Sequence, residues 1–223
     1  MRTFLTKMIA ALLLPTGLLV PAFAGATVLP VPVIMQEAPE WGFAASAEMV
    51  FRYLGYPNVN AAGNYQCGIV GAQGGICSIQ CGVCLDGGRT TQRVAEIMQM
   101  YSDFAYRVTG YANPEVRINV GGILSSRQMI GQIDMKGPIL VGISPGQIRY
   151  PAGLGISQHT VVIVGYEGTP ESLNVVINDP YPYPPTSDPY VLNSAFKMQQ
   201  GQYSIPLRIF VGKFNYRNSV TFR

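Results

Sequence analysis

With 223 residues, 48% of them apolar and 12% charged, the chain can bury the core of one domain and is too apolar for extended disorder. Its net charge of +3 includes no basic block, which excludes a nucleic-acid surface built on clustered lysine and arginine. Seventeen prolines and twenty-five glycines demand many loops and favour an α+β domain over a helical bundle.

The chain opens with Arg2 and Lys7, an apolar run from Met8 to Val20, and the small-residue sequence Pro21-Ala22-Phe23-Ala24. That order describes a secretory signal peptide over residues 1–24. The run is shorter than the roughly 20 residues needed to cross a bilayer, and Pro15 and Gly17 interrupt it. Cleavage after Ala24 removes both basic residues and leaves thirteen bases against twelve acids, a net charge of +1. The expectation is an exported protein, periplasmic or extracellular, that makes no membrane contact after cleavage. Residues 25–223 then form a single domain, with a helical lobe over about 25–120 and a β lobe over about 121–223.

From Gly42 to Leu54, apolar residues at Phe43, Ala47, Val50, Phe51 and Leu54 keep the spacing of a helix with one buried face, and Gly55 and Pro57 end it. All four cysteines, Cys67, Cys77, Cys81 and Cys84, fall in the Gly-rich segment CGIVGAQGGICSIQCGVC. In an exported chain an even, clustered set is read as two disulfides stapling a loop. Three pairings are open, and those joining Cys81 and Cys84 to more distant partners are favoured. A four-thiolate zinc site is the competing reading of the C-x-x-x-C-x-x-C spacing, but the ten-residue step from Cys67 to Cys77 is loose for it.

Thr90 to Met100 reads as a second helix with Thr90 or Thr91 as its cap, and residues 104–120 read as short strands. Ser125-Ser126 caps a third helix that Gly137-Pro138 closes. Strands follow at Ile139–Ile143, Thr160–Tyr166 and Leu173–Asn178, with a last pair at Leu207–Phe214 and Tyr216–Phe222. Between them YPYPPTSDPY, residues 181–190, reads as a rigid surface connection, because its prolines fit neither sheet nor helix interior.

The lone histidine, His159, heads a strongly apolar strand, where a buried imidazole needs a partner. The next strand ends in Asn178 and Asp179. If the two strands are neighbours, either side chain can hold one ring nitrogen of His159 and leave the other as a base.

Four stretches in this order resemble the papain-like cysteine peptidases, in their bacterial C39-like and AvrRpt2-like branches. QEAPEWGFAASAEMV resembles the nucleophile helix with its glutamine six residues upstream, and MIGQIDMKGPILVGI the element before the catalytic histidine. QHTVVIVGY resembles the histidine strand, and VVINDP the strand bearing the third triad residue. The resemblance implies an α+β, papain-like fold with a helical lobe packed on an antiparallel β lobe and a cleft between them. It makes Gln36 the oxyanion-hole donor, His159 the general base and Asp179 its orienter, with Asn178 as the alternative orienter. Trp41 and Phe43 become substrate-binding residues in that cleft. It implies peptide or protein as the partner, and neither cofactor nor metal.

The nucleophile position holds Gly42. A cysteine at a helix head beside a histidine gains a stabilised thiolate, whereas glycine has nothing to attack with. Ser46, one turn into the helix, lies away from the head and is no substitute. A cysteine restored at 42 would make five, two disulfides and one free thiol, so the count fits a lost nucleophile. Three readings follow: a peptide-binding pseudopeptidase, an active peptidase carrying an engineered or allelic Cys-to-Gly change, or a disulfide-stapled structural or adhesion domain. A vacated site predicts a gap between the His159 ring and the Gly42 α-carbon wide enough for a cysteine side chain.

Overall fold

The computed structural model describes residues 25–85, 90–111, 117–143 and 159–222, so the signal-peptide expectation lies outside the described residues. In chain order these form β1 (Gly25–Val28), α1 (Gly42–Tyr53), α2 (Tyr65–Gly71), α3 (Ile76–Ile79), α4 (Thr91–Thr109), β2 (Ile118–Gly121), α5 (Ser126–Asp134) and β3 (Ile139–Ile143). They continue as β4 (His159–Thr169), β5 (Ser172–Asn178), α6 (Pro189–Leu192), β6 (Phe196–Gln199), β7 (Gln202–Pro206), α7 (Leu207–Lys213) and β8 (Asn218–Phe222). Among the described residues no helix is long and apolar enough to cross a membrane.

The strands make one antiparallel sheet in the order β2-β8-β3-β4-β5-β7-β6, with β1 added to β4 beside β3. The α+β expectation holds. β4 lies at the centre, with β3 pairing Ile143 to His159 and β5 pairing Asn178 to Val162. His159 and the Asn178-Asp179 tip therefore sit on adjacent strands.

α1 is more deeply placed than its stripe predicts. Every residue from Gly42 to Phe51 is buried, because the helix packs on β4 and β3 on one side and α2 on the other. Small residues Ala44, Ala45 and Ala47 let its backbone approach the sheet, and the Ser46 hydroxyl donates to the Thr160 carbonyl at 2.7 Å. Glu48, buried on the same helix, is paired with Arg52 Nε at 2.7 Å and accepts from Gln66 Nε2 at 3.2 Å. A buried charge without such partners would be strongly disfavoured.

The disulfides are Cys67–Cys81 and Cys77–Cys84, which decides against zinc and gives Cys81 and Cys84 the longer-range partners. Ser125 caps α5 in a reciprocal box with Gln128, and β3 runs over the expected residues. Three expectations fail. The second helix continues to Thr109 and ends on Gly110 in a left-handed cap (φ 71°), so only Ile118–Gly121 of residues 104–120 is strand among the described ones. Leu207–Lys213 is helix α7 and not strand, burying Phe210 against the core with Phe214 one turn later. β1 was not foreseen at all.

Candidate active site

α1 begins at Gly42, after a chain turn at Ala38 to Trp41 closed by the Trp41 amide donating to the Ala38 carbonyl at 3.1 Å. Trp41 occupies the cap position and offers no side-chain cap to the helix head. Strand β4 brings His159 to this point. A β-carbon built on Gly42 would lie 2.6 Å from His159 Nδ1, 2.7 Å from its Cε1 and 3.2 Å from Gln36 Oε1. The two residues meant to flank a nucleophile do converge on Gly42, but the expected gap is absent. Carbon does not pack at 2.6 Å, so the imidazole occupies the volume that a side chain at 42 would need.

The far side of the ring is anchored. His159 Nε2 lies 2.7 Å from Asp179 Oδ1, with the imidazole nearly buried and the carboxylate fully so. The Asp179 Oδ1 atom also accepts from the Tyr181 amide at 2.8 Å, while Oδ2 accepts from the hydroxyls of Tyr190 at 2.9 Å and Tyr183 at 3.3 Å. Tyr181 stands edge-on to the imidazole with ring centroids 6.4 Å apart, and burial raises its phenol above the ordinary value.

Asn178, the alternative orienter, faces elsewhere because successive residues of a strand point to opposite sides. Its amide donates to the Val31 and Pro32 carbonyls at 3.1 and 3.4 Å and accepts from Gln202 at 2.8 Å, fastening the incoming N-terminal segment. Asp179 is the residue that meets the imidazole.

Gln36 lies beside Gly42 with its amide turned. Nε2 donates to the Ala38 and Pro39 carbonyls at 2.9 and 2.6 Å, and two carbonyl partners fix that end as the nitrogen. Oε1 is left buried without a hydrogen-bond partner among the described residues. An oxyanion needs a donor there, so this amide must rotate to serve one.

Trp41 and Phe43, expected to bind substrate, are 4% and 2% exposed and belong to the hydrophobic core. The Trp41 indole N–H donates to the Cys84 carbonyl at 3.2 Å, which joins the helix head to the disulfide loop. On the other flank, fully buried Gln66 donates to the Met35 carbonyl at 2.9 Å and accepts from the Glu37 amide at 3.0 Å. The cysteine-rich module thus grips the 35–41 segment at both ends. Because Trp41 is the only tryptophan, reduction of the disulfides is expected to shift the emission of the protein to the red as the indole meets water. Each bridge is also expected to contribute on the order of 3 kcal/mol. Unchanged emission under a strong dithiol reductant would show that the loop stays seated without its bridges.

A layer of tyrosines backs the Asp179 carboxylate. The prolines of YPYPPTSDPY point to a surface connection, yet Tyr183 and Tyr190 are buried and reach the Asp179 carboxylate. The available signal was aromatic residues recurring among prolines directly after the acid. Among the described residues no group of three or more His, Cys, Asp or Glu gathers to hold a metal ion.

The profile of the Peptidase_C39 like family matches residues 28–204. No curated protein matches the sequence. Among solved structures the chain is similar to a double glycine motif protease from an AMS/PCAT transporter in complex with the leader peptide. That match has 20% identity over 87% of this chain and 92% of the other, with a TM-score of 0.46. It is also similar to a putative C39-like peptidase from Bacillus anthracis, at 14% identity over 86% of this chain and 96% of the other, with a TM-score of 0.47.

Proposed function

Because the chain belongs to the Peptidase_C39 like family of papain-like cysteine peptidases, we propose that it is an exported member that binds peptide without cutting it. The observation that carries this reading is the imidazole packed against the Gly42 α-carbon, 2.6 Å from where a β-carbon would stand. The imidazole fills the volume that a side chain at 42 would need, and that packing supports a site settled around glycine over an active peptidase with one changed residue. Among the described residues there is no free cysteine, and the Ser46 hydroxyl is committed to Thr160. In this reading His159 and Asp179 are the former base and orienter, and Gln36 the former oxyanion donor, kept as polar features of a peptide site. Export is supported by the basic, apolar and small-residue order of residues 1–24 and by two disulfides, which persist in oxidising compartments.

Incubation of the purified protein with an immobilised peptide library, followed by mass spectrometry of bound and released peptides, tests the reading. Retention of a subset of peptides with no new termini is expected. Retention of none, or the appearance of cleaved products, overturns it.

A further inference from the structure

We propose that Tyr190, seconded by Tyr183, is the positioning residue of the His159–Asp179 pair, holding the carboxylate in the one orientation that leaves Oδ1 to the imidazole. The Asp179 carboxylate is fully buried and its two oxygens divide their partners. Oδ1 takes His159 Nε2 at 2.7 Å and the Tyr181 amide at 2.8 Å, and Oδ2 takes the Tyr190 and Tyr183 hydroxyls at 2.9 and 3.3 Å. An oxygen of a carboxylate accepts comfortably along two lone-pair directions, so both are filled. Rotation of the carboxylate would break both phenol hydrogen bonds in a buried site, which is costly. A carboxylate ringed by donors acts as acceptor toward the ring as well. The imidazole proton is thereby held on Nε2, and Nδ1 is the nitrogen presented to Gly42.

Tyr190 is the stronger of the two because its hydroxyl stands 2.9 Å from Oδ2, against 3.3 Å for Tyr183. Its ring is fully buried, stacked on Tyr203 at 4.2 Å and on Phe214 at 4.5 Å between centroids. Its backbone is fixed as well, since buried Asp188 caps α6 by accepting from the Tyr190 and Val191 amides at 3.0 and 3.4 Å. Tyr203 lies in the same stack, but its hydroxyl donates at 2.8 Å to Asp188 and not to Asp179. Burial and the neighbouring Asp188 raise the Tyr203 phenol above its ordinary value, so it remains a donor. A line of fixed groups therefore runs from the Asp188 cap through Tyr190 and Asp179 to the ring.

His159 is the only histidine, so its ring nitrogens are single, assignable signals in a labelled sample. The wild-type protein is expected to show the Nε2–H tautomer with a slowly exchanging ring proton. Tyr190→Phe keeps the stacked ring and removes only the hydroxyl. It is expected to speed exchange of that proton at least tenfold and to mix the tautomers, and Tyr183→Phe should act in the same direction but less. Tyr203→Phe disturbs the same stack without touching Asp179 and should leave the ring signature unchanged. A folded Y190F protein with wild-type tautomer and exchange overturns the proposal. So does a Y203F protein altered as much as Y190F, which would make the effect one of packing. If Y190F does not fold, Y183F decides, and an unchanged signature there is also fatal. These readouts do not depend on peptide binding, so either reading can fail while the other stands.

Discussion

Gly42→Cys is expected to convert the protein into a slow peptidase that an epoxide affinity label for papain-like thiols modifies at residue 42. The new sulfur would stand at the head of α1, where helix dipole and imidazole both favour thiolate. In a triad hydrolase, loss of the nucleophile removes about 10⁶ in kcat, which sets the ceiling for the gain. The ceiling will not be reached, because the ring must first retreat from a position 2.6 Å from the new β-carbon, and the Gln36 amide must turn its nitrogen inward. Misplacement by an ångström costs about 10²-fold, leaving a gain of roughly 10⁴ over the wild-type chain. Labelling kinetics and peptide turnover measure this directly. A folded, unlabelled Gly42→Cys protein would show that the imidazole cannot withdraw and that the site does not support thiol chemistry.

Asp179→Ala is expected to carry the largest stability loss of any substitution at the site. It removes the acceptor shared by four donors, namely His159 Nε2, the Tyr181 amide and two tyrosine hydroxyls. Breaking a buried pair or network by deleting one member typically costs about 3–5 kcal/mol. In a chain of this size that lowers the melting temperature by on the order of 10 °C. Asp179→Asn keeps one accepting oxygen and turns an NH₂ toward the remaining donors, so it should lose about half as much. Thermal and urea denaturation of the two variants check the ranking. A wild-type melt for Asp179→Ala would mean that the phenols and imidazole find other partners, and the carboxylate would lose its central place.

The parts that sequence made legible are those dictated by local chemistry. Ser125 with Gln128 three residues later is a capping box in letters before it is one in space, and ILVGI directly after Gly-Pro can hardly be anything but a strand. Pairing His159 with Asp179 needed only that two apolar runs be neighbours, and an antiparallel pair joined by a tight connection makes them so. What stayed hidden depends on packing. LRIFVGK is too short and apolar for its period to separate helix from strand, and only the fit of Phe210 beneath the sheet selects helix α7. The prolines of residues 181–190 ruled out regular structure correctly, but they concealed that two of the intervening tyrosines turn inward. Trp41 and Phe43 flank the helix head in sequence, and the depth of α1 buries both. No pattern of letters could say that the imidazole would move into the space beside a glycine, because that is a matter of a few ångströms of side-chain volume.

The place of β8 has a consequence for how the molecule comes into being. Although last in the chain, it is an interior strand, hydrogen-bonded to β2 on one side and β3 on the other. Until residues 218–222 are in place, β3 has an open edge, and open edges recruit other chains. Such distant pairings also form slowly, on the millisecond-to-second scale typical of non-local sheets. The groups around Gly42 come from residues 36 to 190, yet the sheet that holds them cannot close before a final strand that takes no part in their chemistry.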